Sequence, residues 1–221
     1  MSFNLYDPCD DSTLQSGSFQ TCYGTGANDW GNISAIAFIS SSKSADPFLA
    51  LGSPTTAEEY YALFQSKANW DTVMALTDEN KIVVTPLSSN TTVTGGEAKE
   101  VTFEDDTVVP RGHNSQVFEL TFRTLSKDQE KQLASLHGRV LGFVLLTQDG
   151  KAIIKCVSDA DVTGASTNPF FGTKGGFMVN ARQNATGDTP DFSTAKFAVA
   201  PNQTFGEYVE ISLDFDLSEL Q

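Results

Sequence analysis

Three cysteines, two histidines and twenty-eight carboxylates are the residues from which this 221-residue chain could build a reactive site. A nucleophilic hydrolase needs a Ser or Cys beside a base that a third group orients. Serines are plentiful, but no Gly-x-Ser-x-Gly elbow occurs, His113 falls in a polar stretch, and His137 falls near the end of a predicted helix. An imidazole there suits the negative end of the helix dipole better than it suits proton transfer. Zinc requires paired Cys and His spacings; Cys9 and Cys22 stand thirteen apart, Cys156 is remote, and neither His belongs to a pair. The acidic groups Asp10-Asp11, Glu104-Asp105-Asp106, Asp159/Asp161 and Asp214/Asp216 offer oxygen ligands, yet none follows the EF-hand pattern. Gly24-Thr25-Gly26 lacks the third glycine and the βαβ setting of a dinucleotide site. Tyr60, Tyr61, Trp70 and Trp30 could form a sugar platform, although Tyr60 fits a buried helix face. The residues therefore name no catalytic, cofactor or metal site, and the expectation is a protein without a cofactor that is not an enzyme.

Charge narrows the partners. Fourteen Lys and Arg against twenty-eight Asp and Glu give −14 with both histidines neutral. Nucleic-acid binders neutralise phosphates with clustered Lys and Arg, so this balance argues against phosphate-backbone binding as the chain's main task. The same balance disfavours an anionic membrane surface. The longest apolar runs, 35–39 and 140–146, fall far short of the roughly 20 residues of a spanning helix. The start shows neither a basic n-region nor an apolar h-region. Three cysteines are too few for a disulfide framework, so the expectation is reduced thiols, with a Cys9–Cys22 pair as the alternative.

The elements that would position such residues are mainly strands. Residues 1–34, rich in Ser, Gly, Asp and Asn, read as an extended N-terminal arm, and 35–221 as one β-rich domain. Ile33 to Ser40 suits a buried strand. Thr56, with Glu59 three residues on, opens a helix near 56–68. Ser126 and Gln129 repeat that capping arrangement for a helix near 127–137, which Gly138 ends. Asn90–Val93 and Glu100–Phe103 flank Gly95-Gly96 as a loose hairpin. Asp105–Asn114 reads as a loop, and 117–123 as a half-buried strand with Phe118, Leu120 and Phe122 inward. Val140–Leu146 is apolar on both alternating faces, hence a central strand. Asp149-Gly150 turns it back into Ala152–Val157. Phe177–Ala181 and Glu207–Leu217 are the last strands, the latter with Glu210, Asp214 and Asp216 on one wet face. The predicted class is mainly β (α+β): an antiparallel β-sandwich or barrel with two flanking helices.

The strand pair 100–123 with its long loop, the helix 126–137, the hairpin 139–150 and the ending 181–188 into 208–217 follow one another in a characteristic order. In that order, residues 80–221 resemble bacteriophage virion proteins of the tail-tube and head-to-tail-ring kind, especially those of phages infecting Bacteroidetes. The resemblance implies a subunit that multiplies into a homo-oligomeric ring, commonly sixfold or twelvefold, beside other virion proteins. It implies a place in the virion, assembled in the bacterial host cytoplasm, with no membrane. DNA would pass through such a ring without being specifically bound, since an acidic wall repels phosphate. The segment with Asp105, Asp106, Val109, Arg111 and His113 is then the candidate inter-subunit loop. Glu104, Glu210, Asp214 and Asp216 are the candidate acidic lumen face. From other classes, the rivals are a carbohydrate- or receptor-binding β-sandwich (an adhesin or a capsid decoration) and a hydrolase whose carboxylates meet only in the fold.

Overall fold

The computed structural model describes residues 32–39, 46–78, 81–102, 108–163, 175–183, 191–200 and 208–220. Among them the chain is mainly β with added helices, and every strand pairing is antiparallel. Strand β1 (Ile33–Ile39) lies beside β7 (Val140–Thr147), with Ala35 opposite Leu146 and Ile39 opposite Gly142. The short β2 (Val83–Val84) extends this group beyond β1. Beyond β7 come β8 (Lys151–Lys155) and β11 (Tyr208–Ser212). The other end of β7 pairs through Val140 and Leu141 with β9 (Gly175–Val179), which leads to β10 (Phe192–Val199), β6 (Gln116–Arg123) and β3 (Asn90–Gly95). β7 is thus the strand that joins the two groups.

Period-two alternation explains why two apolar clusters form. From β1 and β7, Ala35, Ala37, Ile39, Val144 and Leu146 enter one cluster, which three helices complete. These are α1 (Pro47–Gly52), α2 (Ala57–Gln65) and α3 (Lys67–Met74), contributing Phe48, Tyr60, Phe64 and Trp70. The alternate residues Ile36, Phe38, Phe143 and Leu145 enter the second cluster. There they meet Phe118, Leu120 and Phe122 of β6, Phe177 of β9, Phe197 of β10, and Leu133 and Leu136 of α4 (Lys127–Leu136). Gly175 must be glycine: a Cβ there would stand 2.1 Å from the Phe197 ring. Where β1 and β2 meet, the buried Thr85 hydroxyl accepts the Ile36 N–H at 3.0 Å and the Thr85 N–H returns to the Ile36 carbonyl at 2.9 Å.

Local signals decide the helix starts. Ser126 and Gln129 form the full reciprocal cap, with Ser126 N–H donating to Gln129 Oε1 at 2.9 Å and Gln129 N–H to Ser126 Oγ at 3.2 Å. Thr56 forms only half of one. Its hydroxyl accepts Glu59 N–H, while the Glu59 carboxylate turns to Thr55 N–H and Oγ at 2.7 and 2.8 Å. Those two donors hold the Glu59 carboxyl below its ordinary value. Gly150, at φ +72°, makes the turn between β7 and β8.

Several expectations need correction. Among the described residues the two expected flanking helices become five: α1 precedes the predicted first helix, that helix divides at Ser66 into α2 and α3, and α5 (Asp159–Thr163) follows β8. The first strand, by contrast, starts at Ile33 as the apolar run 33–40 predicts, and residues 1–31 of the expected arm lie outside the described residues. The last strand ends at Ser212 rather than Leu217. Past it, Leu213 N–H donates to the Gly150 carbonyl and Asp214 N–H to that of Gln65, and a 3-10 helix at Leu217–Leu220 buries both leucines. Cys156 is disulfide-bonded, which overturns the reduced-thiol expectation there; Cys9 and Cys22 lie outside the described residues. Spacing along a chain does not report which thiols meet in space.

Candidate functional site

The clearest departure from the expected hairpin builds the most prominent surface feature. Asn90–Gly95 does not return on Glu100–Phe103; β3 pairs with β6, from Asn90 opposite Thr121 to Gly95 opposite Gln116. The intervening residues form their own pair, β4 (Ala98–Thr102) with β5 (Val108–His113), from Ala98 opposite His113 to Thr102 opposite Val108. The two pairs are consecutive stretches of one β-ribbon. Gly95 and Gly96 stand between them at φ +82° and +83°, in the left-handed region that favours glycine. A Cβ on Gly95 would lie 2.2 Å from the Ser115 carbonyl oxygen, so this joint depends on the missing side chain. Across the joint, Asn114 N–H donates to the Glu97 carbonyl at 2.9 Å.

Beyond the joint the ribbon stands apart. β4 and β5 form a sheet of their own, and all five residues of β4 are exposed, as is Val108 at 51%. A lone two-stranded ribbon is marginal in water unless another layer supports it. The predicted inter-subunit residues divide over this feature. Val109, Arg111 and His113 lie on β5, in a strand where a loop was expected. Asp105 and Asp106, like Glu104 of the predicted lumen face, lie outside the described residues.

The remaining lumen residues do not share one strand face. Glu210 on β11 is half-buried, and its Oε2 accepts from Lys151 Nζ at 3.0 Å. Asp214 and Asp216 are exposed but follow the strand's end, and Asp216 N–H donates to Glu219 Oε1 at 3.3 Å. Leu213, Phe215 and Leu217 continue the alternation in sequence, but they pack onto the helical cluster instead of extending the ladder.

The other sequence candidates resolve into packing and capping. Tyr60 and Trp70 have no solvent exposure and Tyr61 only 7%, so these three cannot present a sugar platform; Trp30 is outside the described residues. Tyr61 OH accepts Val157 N–H at 2.9 Å and donates to the Val157 carbonyl at 3.2 Å, which ties α2 to the end of β8. His137 follows α4, where its Nδ1 accepts the Val179 N–H at 3.0 Å. Asp159 Oδ1 accepts the Ala57 N–H at 2.7 Å, at the start of α2. Asp161 caps its own turn, accepting the N–H and hydroxyl of Ser158, and these two donors hold its carboxyl below the ordinary value. Among the described residues no group of three or more His, Cys, Asp or Glu is placed to hold a metal ion.

Two features escaped the sequence reading. Asp46 caps α1 from a half-buried position: its Oδ1 accepts Phe48 N–H and Leu49 N–H at 2.9 and 3.1 Å, and its Oδ2 accepts Tyr60 OH at 3.0 Å. Burial pushes its carboxyl above the ordinary value, against the pull of those three donors. Asp followed by Pro47 was the available signal, since Pro favours the first helical turn. Arg182 joins α4 to the start of β10, donating to Glu130 Oε1 at 2.8 Å and Asp191 Oδ2 at 2.6 Å. The contact with Asp191 leads in raising its guanidinium above the ordinary value. In comparison with known proteins, no family model matches the chain and no curated protein matches its sequence.

Proposed function

We propose that this chain is a non-enzymatic structural subunit of a bacteriophage virion, assembling with copies of itself into a ring of a tail or connector. The observation that supports this reading is the β4–β5 ribbon. Its strand β4 is exposed throughout, and among the described residues the pair is separate from the main sheet, a small element to which a neighbouring subunit would add a second layer. Contacts that join different surfaces of adjacent copies close into rings when their rotation permits. In this reading the two strand groups face one another as a sandwich around the Phe-rich cluster. The charge of −14 keeps passing DNA from binding.

Native mass spectrometry and negative-stain imaging of the full chain test the proposal. Closed rings of uniform order, sixfold or twelvefold, are the expected result. A chain that stays monomeric at millimolar concentration overturns it. A sugar or peptide ligand bound by a monomer would instead place the chain among adhesins or decorations.

A further inference from the structure

We infer that Cys156 anchors a redox-operated tether: its disulfide ties the N-terminal segment, through Cys9 or Cys22, to the corner where β8 meets α2, and reduction frees that segment. The tether acts within one chain and stands apart from any ring.

The sequence contains three cysteines, and Cys156 is disulfide-bonded. Within one chain its partner is therefore Cys9 or Cys22, which leaves no room for the Cys9–Cys22 pair. The body supplies a fixed anchor. Cys156 follows β8 directly and is half-buried, with its Sγ 3.7 Å from the Tyr61 hydroxyl. That hydroxyl binds both the N–H and the carbonyl of Val157, so α2 clamps the backbone beside the sulfur.

The segment is long enough. β1 and β8 flank β7, with Ala35 and Ala152 both opposite Leu146. Two strand spacings and the rise along β8 set Ile33 roughly 20–25 Å from Cys156. Cys22 precedes Ile33 by eleven residues, a length that extends to about 36 Å. Either cysteine thus reaches Cys156 while β1 stays paired.

The residues just beyond the sulfur, Ser158 to Ala160, are exposed, which gives a small thiol access to the bond. Accessible disulfides are the reducible ones. Two molecules of such a thiol supply two electrons and two protons and leave as one disulfide, while the protein's S–S bond breaks to two cysteine thiols. A small disulfide reverses each transfer. The third cysteine stays a thiol in both states. Redox poise then decides whether residues 1–31 are tied to the body at Cys156 or joined to it only through the backbone at Asn32. The closed loop takes in more than half of the chain, so the bond also restricts the unfolded state.

The test maps the bond in the full-length chain. Protein purified without reductant is alkylated under denaturing conditions, digested and read by mass spectrometry. The expected result is the Cys156 peptide joined to the peptide of Cys9 or Cys22, with one alkylated cysteine per chain. Treating the folded chain with glutathione should yield three alkylated cysteines and lower the thermal midpoint by about 5–15 °C. Cys156→Ser should melt at that lower temperature with or without the thiol; the mapping itself needs no variant. Three alkylated cysteines before reduction, Cys9 joined to Cys22, or Cys156 joined to Cys156 of another copy would each overturn the tether. A Cys156 bond that glutathione leaves closed in the folded chain overturns its redox operation.

Discussion

Trp70 donates its indole N–H to the Phe64 carbonyl at 2.7 Å, fully enclosed, with Phe48 edge-on at 5.4 Å between ring centres. Phe48 and Phe64 stack at 3.9 Å beside it, so the three short helices α1, α2 and α3 share one aromatic centre with Tyr60. Truncating the indole empties that centre and removes one donor from the buried Phe64 carbonyl. Trp70→Ala is expected to lower stability by about 3–5 kcal/mol, read by denaturant unfolding. Asp46 behaves differently because burial favours its protonated form in the folded state. A carboxyl raised on folding lends stability that is complete below its unfolded value and is lost as pH rises through the folded one. The stability difference between the unsubstituted chain and Asp46→Asn should therefore fall as pH climbs through the mildly acidic range; a flat difference would contradict the assignment. Tyr60, pushed well above its ordinary value by burial and then by the Asp46 charge, remains the donor in that pair throughout.

At the level of elements, the ribbon is controlled by its joint. Gly95→Ala places a methyl against the Ser115 carbonyl at a φ of +82°, and a cost of about 1–3 kcal/mol is expected. Thermal unfolding would measure it, and Gly138→Ala, also at positive φ but with nothing within 4 Å of the added atom, separates backbone strain from collision. How much of this could be read from residues alone depends on how local each signal is. The Ser126 cap, the Phe118-Leu120-Phe122 face, the two-sided apolar run of β7 and the turn at Gly150 were all legible, because a few neighbouring side chains determine each. β10 was not: its inward positions begin with Ser193 and Ala195, too small to announce a buried face before Phe197 and Val199. Pairing was the harder problem. Gly95-Gly96 reads as a hairpin turn, but the partner of Asn90–Val93 is chosen by the Phe-rich strand β6 more than twenty residues away, and no local pattern encodes that choice. The candidate site suffered similarly. Its residues stand out in the sequence, but the strand that carries three of them reads as a loop, and the alternation that suggests an acidic face runs on past Ser212, where tertiary packing stops the strand.

For the whole molecule, net charge and fold act together. Copies of a body at −14 repel one another, so the self-association proposed above should strengthen as salt screens that charge, opposite to what an interface held by ion pairs would show. The ion pairs themselves sit mostly at exposed positions, such as Lys131 with Asp128, and add little to stability. The two clusters divide the molecule, yet they are not separable parts. β1 and β7 send neighbouring side chains alternately into each: Ala37 and Val144 to one, Phe38 and Phe143 to the other. Peeling away either strand would strip both at once, so neither half can melt and leave its companion standing. The two clusters are bound into one cooperative unit, and the seam of that unit is a pair of strands instead of a linker.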